Sequence, residues 1–411
     1  MATPDDAAPS KPQAQRAPTR RYQAKREAIV RFAVEEMNRK GVRGMTLGEV
    51  AARLDLVPTG VIYYFRNKEE LAAAAFLKGI GQFEALIAAG EGAGAPAERL
   101  SAFVRAYFDY AGAIARGEAD RIPVFNDVRA LNCEPVNVAY VEMFRRLRRL
   151  LGELPRTHRN ARAHLLLSQM FWIPAWLRQA ELSDYPRTAE RMGDILVNGL
   201  LAPGVAWPKA RAVAPSLEGA PDSSSELFLR AATQLINDEG YHGASVERIS
   251  ARLNVSKGAF YHHNETKDDL VVACFERTFD LMWRAIRTAE AEAGSGLEML
   301  ATVASTLIGH QMAGGGPLLR TSALTAVPEA IRAGLMEKFG QLSYRFASMI
   351  CDGIADGSMR PVDVNIAAQM LTAAINAAAE LHFWTPGLTP EGAAGAYVRP
   401  VFEGLVSPPA P

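Results

Sequence analysis

Two stretches of the chain contain residues that could hydrogen-bond to phosphate groups and to base edges. In the run from Gly240 to Leu270, a lysine, a tyrosine and a pair of histidines lie just after Ser256. The run from Gly41 to Leu71 places Thr59 and two tyrosines at a similar point. A lysine can donate to guanine O6 or N7, and hydroxyl and imidazole groups can reach phosphates or bases. Both stretches are therefore candidates for a nucleic-acid-binding surface.

Capping residues mark the helices that would position these side chains. Ser245 can cap a helix whose apolar residues Val246, Ile249 and Leu253 lie on one face. Ser256 is a second N-cap, after a bend of about three residues. Two short helices joined in this way form a helix-turn-helix, whose second helix can enter a DNA major groove.

The earlier stretch gives the same pattern. Thr46 with Glu49 forms a capping box, and Pro58 fits the first turn of a helix because its missing N–H is not needed there. The recognition segment would run from Pro58 to Tyr64 and expose Thr59, Gly60 and Tyr63. It contains no basic residue, so base reading would depend on hydroxyl and van der Waals contacts.

The two stretches are copies of each other. A shift of 199 residues without a gap aligns them, and it gives eleven identities over the 46 positions from Arg26. Asn38, for example, recurs as Asn237. This agreement indicates an internal duplication.

Each copy resembles the N-terminal DNA-binding domain of TetR-type transcriptional repressors over some 46 residues. The second copy carries the more specific motif, Val255 to Gly258 followed by Tyr261 and Lys267 to Leu270. Two departures stand out. The first copy has Ile62 where the family usually has tyrosine, and the second has Asn264 where a phenylalanine normally fills the core.

The resemblance, with the contacts considered above, gives a set of candidate DNA-binding residues. By resemblance, Tyr261, Lys267 and Lys68 meet phosphates. The alternative for each aromatic residue is that it packs inside its module. The full set is Thr46, Pro58, Thr59, Gly60, Tyr63, Tyr64, Lys68, Ser245, Ser256, Lys257, Gly258, Tyr261, His262 and Lys267.

Charge and motif quality favour different copies. The chain has 45 basic and 45 acidic residues, but basic residues outnumber acidic ones between Arg16 and Lys68, and the reverse holds from Asp222 to Leu270. Phosphate neutralisation favours the first copy, so the second would rely on specific contacts. The basic residues before the first helix could contact phosphates or belong to a solvated tail.

Composition predicts an ordinary folded chain. Hydrophobic residues make up 49% of 411 residues, enough for two to four domains. Three distant cysteines and a polar N-terminus with no run of about 18 apolar residues lead us to expect a cytoplasmic protein without a membrane span.

Each module is followed by some 130 residues with helical periodicity and no strand pattern, so the predicted fold is all-α with two TetR-like units. Each unit would consist of a three-helix helix-turn-helix module and a helical ligand-binding and dimerisation domain. The predicted segments are a disordered tail at 1–20, a first DNA-binding domain at 21–72, a first ligand-binding and pairing domain at 73–203, a linker at 204–222, a second DNA-binding domain at 223–271 and a second ligand-binding and pairing domain at 272–406.

The resemblance implies that the last two helices of each unit pair and that each helical domain holds a small effector. The candidate pairing helices are 158–182 with 187–201, and 362–385 with 390–405. The units could then form an intramolecular pseudo-dimer, with a homodimer as a further option. Candidate ligand contacts, which could equally be core residues, are Tyr107, Phe108, Phe144, His164, Trp172, His310, Tyr344, Asn376 and Trp384.

No enzyme motif is present: the sequence has no GxSxG, P-loop, HExxH or CxxC pattern. We expect no catalytic residues, no cofactor and no metal, since His262 and His263 would diverge by about 100° on a helix with no third ligand near. The sequence therefore predicts a ligand-responsive transcriptional regulator, a repressor that binds double-stranded operator DNA and is released by a small apolar effector. The alternative is a helical ligand-binding or protein-interaction protein whose DNA-binding modules have decayed.

Overall fold

The computed structural model describes most of the chain. The described residues are 19–125, 128, 131–208, 224–253, 266–292, 294–313, 316–320, 323–324 and 327–408. Residues 254–265 lie outside them and include five of the candidate DNA-binding residues, namely Ser256, Lys257, Gly258, Tyr261 and His262.

Helices account for the regular structure of the first unit, residues 20–203. They are α1 (Arg20–Gly44), α2 (Leu47–Ala52), α3 (Pro58–Ile62), α4 (Lys68–Glu91), α5 (Pro96–Ala115), α6 (Glu134–Arg149), α7 (Arg156–Trp176) and α8 (Tyr185–Asn198). Two short 3₁₀ turns, Leu177–Gln179 and Leu182–Asp184, connect α7 to α8.

The second unit, residues 224–406, repeats this order in its described part. Its helices are α9 (Ser224–Gly243), α10 (Val246–Leu253), α11 (Lys267–Glu292), α12 (Gly296–Met312), α13 (Glu329–Ala355), α14 (Val364–Ala377), α15 (Leu381–Trp384), α16 (Pro390–Ala393) and α17 (Arg399–Glu403). Among the described residues the extended pairing is an isolated bridge between Leu201 and Met359. The all-α prediction is confirmed.

Equivalent residues shape the two modules. Thr46 Oγ1 accepts from the Glu49 N–H at 3.2 Å, and Ser245 Oγ accepts from the Arg248 N–H at 3.3 Å, so both predicted N-caps form. The first helix of each module bends at Gly41 (φ 71°) and at Gly240 (φ 73°). These two glycines lie 199 residues apart, and a positive φ suits glycine because it has no Cβ.

Two boundaries differ from the sequence-based expectation. The predicted tail at 1–20 loses its last residues to α1, because the Thr19 side chain accepts from Tyr22 N–H and caps a helix that starts at Arg20. The helix predicted to reach residue 182 ends at Trp176. Pro174 lies in its last turn and cannot donate a helical hydrogen bond, which weakens the turn.

Helix α4 is long and apolar enough to cross a membrane by length and composition. An 18-residue window of it has a mean hydropathy of 1.4, which our sequence-based expectation did not foresee, and half of that window is buried within the fold. The helix packs against α1, α5 and α6 and buries Phe76, Ile80 and Phe83. We interpret α4 as a core helix of the first unit.

The two units pack against each other through α7 and α14. Gln169 Nε2 donates to the Met370 carbonyl at 3.0 Å, and Trp172 Nε1 donates to Gln369 Oε1 at 3.0 Å. His164 Nε2 lies 2.9 Å from the Ala377 carbonyl oxygen. Buried polar side chains of one helix are thus satisfied by the other, which fixes the register of the two helices.

A second contact between the units forms just after the last helix of each unit. The Leu200 N–H donates to the Phe402 carbonyl at 2.7 Å, and the Leu405 N–H donates to the Leu196 carbonyl at 2.8 Å. The preceding residues, Gly199 and Gly404, both have positive φ. A Cβ on either glycine would collide with the backbone of the other unit, so only glycine permits this approach.

We predict that Gly199→Ala and Gly404→Ala each lower the free energy of unfolding by about 2–5 kcal/mol, because each adds a clash to an unfavourable φ. Gly204→Ala is the control: Gly204 also has positive φ (81°), but a Cβ there would meet nothing within 4 Å. It should cost only about 1–2 kcal/mol. Urea unfolding measures all three, and equal losses would show that the close contact between the units is unimportant.

His310 on α12 is a buried residue that holds the following loop. Its Nε2 lies 2.9 Å from the Gly316 carbonyl oxygen. Burial lowers the pKa of the imidazole, Arg277 and Arg230 lower it further, and the Gly316 hydrogen bond and Glu226 act in the opposite direction. The folded protein therefore keeps His310 neutral at pH values where the unfolded chain binds a proton.

We therefore predict that the free energy of unfolding falls as pH drops below about 6.5, by up to about 1.4 kcal/mol per pH unit for this group. Because the folded pKa is lowered, the stability is present at neutral pH and is lost on acidification. His310→Gln should flatten this dependence. Urea unfolding at several pH values is the measurement; an unchanged slope in His310→Gln contradicts the assignment.

Candidate nucleic-acid interface

Helix α3 presents the candidate recognition surface of the first module. Pro58, Thr59 and Tyr63 are exposed, and Tyr63 retains 74% of its accessible surface. The helix is anchored from the other side by Val61 and Phe65, which are fully buried. Buried anchors on one face and exposed hydroxyl groups on the other leave a rigid surface free to meet a ligand.

The tyrosines place this surface beside the basic start of α1. The Tyr22 ring lies 5.9 Å from the Tyr63 ring and 4.8 Å from the Tyr64 ring, centroid to centroid. Arg20 and Arg21, directly before Tyr22, are exposed. Arg20 and Arg21 therefore lie near the recognition helix, where the phosphates that flank a bound groove would be.

The start of α4 completes the surface. Asn67 Oδ1 accepts from the Glu70 N–H at 2.8 Å and caps the helix. Lys68, the next residue, is half-buried and donates from Nζ to the Arg43 carbonyl at 3.1 Å. This contact fixes the position of the ammonium group, which has further N–H donors for a phosphate.

Part of the basic surplus of the module is neutralised internally. Arg53 pairs with Glu35 at 2.7 Å and with the buried Glu36 at 3.4 Å. Lys40 pairs with Glu49, and this hydrogen bond, followed by the one from Thr46, holds the pKa of the Glu49 carboxyl below its usual value. Arg53 and Lys40 are therefore partly neutralised within the module, whereas Arg20 and Arg21 at the start of α1 are exposed.

The described part of the second module shows its frame. Thr266 Oγ1 accepts from the Asp269 N–H at 3.1 Å, and Asp269 Oδ2 accepts from the Thr266 N–H at 2.9 Å, so the two residues form a capping box. Lys267 is half-buried, and burial lowers the pKa of its ammonium group.

Several candidate ligand residues perform packing roles. Tyr107 donates from its hydroxyl to the Met170 carbonyl at 2.7 Å. This is the carbonyl that Pro174 leaves without a helical donor. Phe108 is buried, and Phe144 stacks on Trp384 with ring centroids 3.7 Å apart.

Tyr344 requires a correction. The sequence placed it among residues that could line an interior cavity, but 76% of its surface is exposed. Its neighbours Leu342, Ser343 and Phe346 carry the buried face of α13. A helical position next to an apolar stripe can fall on the solvent side, and sequence periodicity alone placed it wrongly.

Three other candidates meet at one cleft between the units. His164, Trp172 and Asn376 line a cavity of about 100 Å³, together with Val124 and Arg320 among others. Sequence reasoning missed Val124 and Arg320, which carry no motif.

Among the described residues, no group of three or more His, Cys, Asp or Glu side chains could hold a metal ion.

Two equivalent asparagines, Asn38 and Asn237, hold the loops that contain Val124 and Arg320. Asn38 Nδ2 donates to the Ile122 carbonyl at 2.9 Å, and its Oδ1 accepts from the Val124 N–H at 2.8 Å. Asn237, its equivalent, donates to the Leu318 carbonyl at 2.9 Å and accepts from the Arg320 N–H at 2.9 Å. The recurrence of this asparagine was the available signal.

Comparisons with known proteins agree with the duplicated geometry. Residues 29–75 and 228–274 each match the family model of bacterial regulatory proteins of the tetR family. The Tn10 TetC protein of Escherichia coli is 31% identical over 81 residues, which are 20% of this chain and 41% of that protein. The transcriptional activator FasR of Mycolicibacterium smegmatis is 31% identical over 108 residues, 26% of this chain and 44% of that protein.

A third relative, the transcriptional repressor DhaR of a Mycobacterium species, is 29% identical over 131 residues, 31% of this chain and 66% of that protein. The matched part spans less than half the length of the first two relatives. The two family-model matches coincide with the two copies found in the sequence. Two regions of this chain, one in each unit, are therefore similar to the amino-terminal domain of tetR-family regulatory proteins.

Proposed function

We propose that this chain is a transcriptional regulator that binds operator DNA and acts as a repressor released by a small, largely apolar effector. The observation that carries the proposal is the exposed recognition surface of α3, held rigid by buried Val61 and Phe65 and flanked by the basic start of α1. An exposed helix with cations beside it is the arrangement that reads a major groove. Such a regulator acts in the cytoplasm and needs no cofactor or catalytic residue.

We further propose that the two units act as an intramolecular pseudo-dimer. Two-fold pairing requires that a contact from i to j be matched by one from j to i. The contacts of Gly199 with the Phe402 backbone and of Gly404 with the Val197 backbone have this reciprocity. One polypeptide would then present two modules to successive grooves, roughly 34 Å apart, and could also pair with a second chain.

The direction of regulation rests on the effector. A small molecule that favours a spacing of the modules unsuited to successive grooves would release DNA. Among the relatives, FasR is named an activator and DhaR a repressor. We favour repression because an effector can release a repressor simply by disturbing the fit of its two modules to successive grooves.

One residue of the second module favours a second candidate function. Phe65 is fully buried in the first module, and its equivalent 199 residues later is Asn264. An amide at such a core position would weaken the module unless it found hydrogen-bond partners. In that case the chain would be a helical ligand-binding or protein-interaction protein.

We predict that the chain binds an operator recovered from random oligonucleotides, with affinity that falls steeply as salt rises. Thr59→Ala and Tyr63→Ala should each weaken this binding about 10-fold or more by removing contacts to the groove. Thr59→Ala should leave the temperature of thermal unfolding unchanged, and Tyr63→Ala should lower it only slightly, since both side chains are exposed and Tyr63 contacts the rings of Tyr22 and Tyr64. Fluorescence anisotropy with labelled operator is the measurement, and Tyr344→Ala, at an exposed tyrosine on α13, is the matched control.

Lys257→Ala and Tyr261→Ala test the second module in the same assay. Equal losses from both modules are expected of a pseudo-dimer. Absent or salt-insensitive binding by the unmodified chain would refute the regulator and leave the alternative function.

We also predict that one chain occupies one palindromic operator of two half-sites, because the two units already supply both modules. Sedimentation of the protein–DNA complex gives the stoichiometry. A complex containing two chains with well-separated halves on the same operator would contradict the pseudo-dimer.

A further inference from the structure

We infer that the cleft between the two units is the effector site, that it takes one small neutral molecule bearing a hydrogen-bond donor, and that Asn38 and Asn237 transmit its occupation to both DNA-binding modules. This inference rests on the proposed function and gives it a site. The site belongs to neither unit alone, because α7 of one unit and α14 of the other form its walls.

The size and walls of the cleft define the ligand. Its volume is about 100 Å³, and it is partly open to solvent. An engineered apolar cavity of ~150 Å³ binds benzene, so this smaller cleft admits at most one small ring or branched chain, part of which would reach its open side. Leu167, Phe171 and Ala373 make its walls largely apolar.

Asn376 Oδ1 and Arg320 Nε, both on residues that line the cleft, are buried without a hydrogen-bond partner among the described residues. Asn376 Nδ2 donates to the Thr372 carbonyl at 2.9 Å, so Oδ1 is the unsatisfied atom of this amide. A buried acceptor left unsatisfied is costly, so a ligand that donates a hydrogen bond there removes the cost. The indole N–H of Trp172 is already taken by Gln369, so this ring offers its face.

The charges in the cleft cancel. Arg320 Nη1 and Glu380 Oε1 lie 2.9 Å apart, and both side chains line the cavity. A charged ligand would lose its hydration without gaining an unpaired counter-charge. The cleft therefore selects a neutral molecule, such as a phenol or a small alcohol.

The cleft contacts the anchor of each module. Val124 and Arg320 both line it, and their N–H groups donate to Asn38 on α1 and to Asn237 on α9. Each asparagine also holds a second backbone group of the same loop. A ligand that displaces Val124 or Arg320 must therefore strain or break the contact that orients a module, and a single ligand reaches both.

Phenol is the probe for the site, and calorimetry of the full-length protein without DNA is the measurement. We expect one phenol per chain. Toluene, which has the same ring but no donor, should bind at least 10-fold more weakly, and benzoate should bind no better than toluene. Equal binding of phenol and toluene, or no phenol binding, overturns the site.

Variants locate the bound molecule. Asn376→Leu should weaken phenol binding at least 10-fold and spare toluene, whereas Asn365→Leu, at an exposed asparagine on the same helix, should change neither. Ala373→Leu should fill the cleft and abolish binding of both. If Ala373→Leu does not fold, the comparison of Asn376→Leu with Asn365→Leu still decides, and equal affinities in those two overturn the assignment.

Operator anisotropy with saturating phenol tests the transmission. We expect the unmodified chain to lose at least 10-fold in operator affinity. The double variant Asn38→Ala and Asn237→Ala should bind phenol as before but show no such loss, and an undiminished response would overturn the role of the asparagines. Absence of operator binding before phenol is added would refute the proposed function instead, and calorimetry alone would then decide on the site.

Discussion

The two units are joined by backbone hydrogen bonds next to two glycines that lie against the backbone of the opposite unit. Leu200 and Leu405 each donate an N–H to a carbonyl of the opposite unit, directly after Gly199 and Gly404. Backbone groups leave little freedom of register, since a shift by one residue would break both bonds and create clashes. The packing of α7 on α14 must keep the register that these bonds set.

Side chains extend the constraint along the interface. Arg360 donates from Nε to the Gly199 carbonyl at 2.8 Å, and the buried Arg162 donates to the Leu405 carbonyl at 2.9 Å. One arginine of each unit thus donates to a backbone carbonyl group that lies just after the last helix of the other unit. Such charged donors on buried carbonyls add specificity more than raw stability, because the desolvation cost offsets much of the gain.

The same interface borders the loops that hold the two helix-turn-helix modules. Each first helix is tied by an asparagine to a loop of its own unit, and both loops border the cleft. The modules are therefore oriented through short hydrogen-bonded contacts, not only through the long helix α4 or α11. A small change at the interface can reach both modules, since packed elements tend to shift between discrete arrangements.

The sequence by itself determined the duplicated all-α architecture and the local chemistry of the modules. The N-caps Thr46 and Ser245, the glycines Gly41 and Gly240 and the proline of α3 depend on neighbouring residues only, so their patterns could be read directly. Tertiary structure decided which polar and aromatic residues of the helical domains share a surface. Tyr107 serves a carbonyl exposed by a proline 67 positions later in the chain, Tyr344 faces solvent, and His164, Trp172 and Asn376 meet across the units. Helical periodicity gives a face but not its partner, and the partner depends on contacts between residues some 200 positions apart.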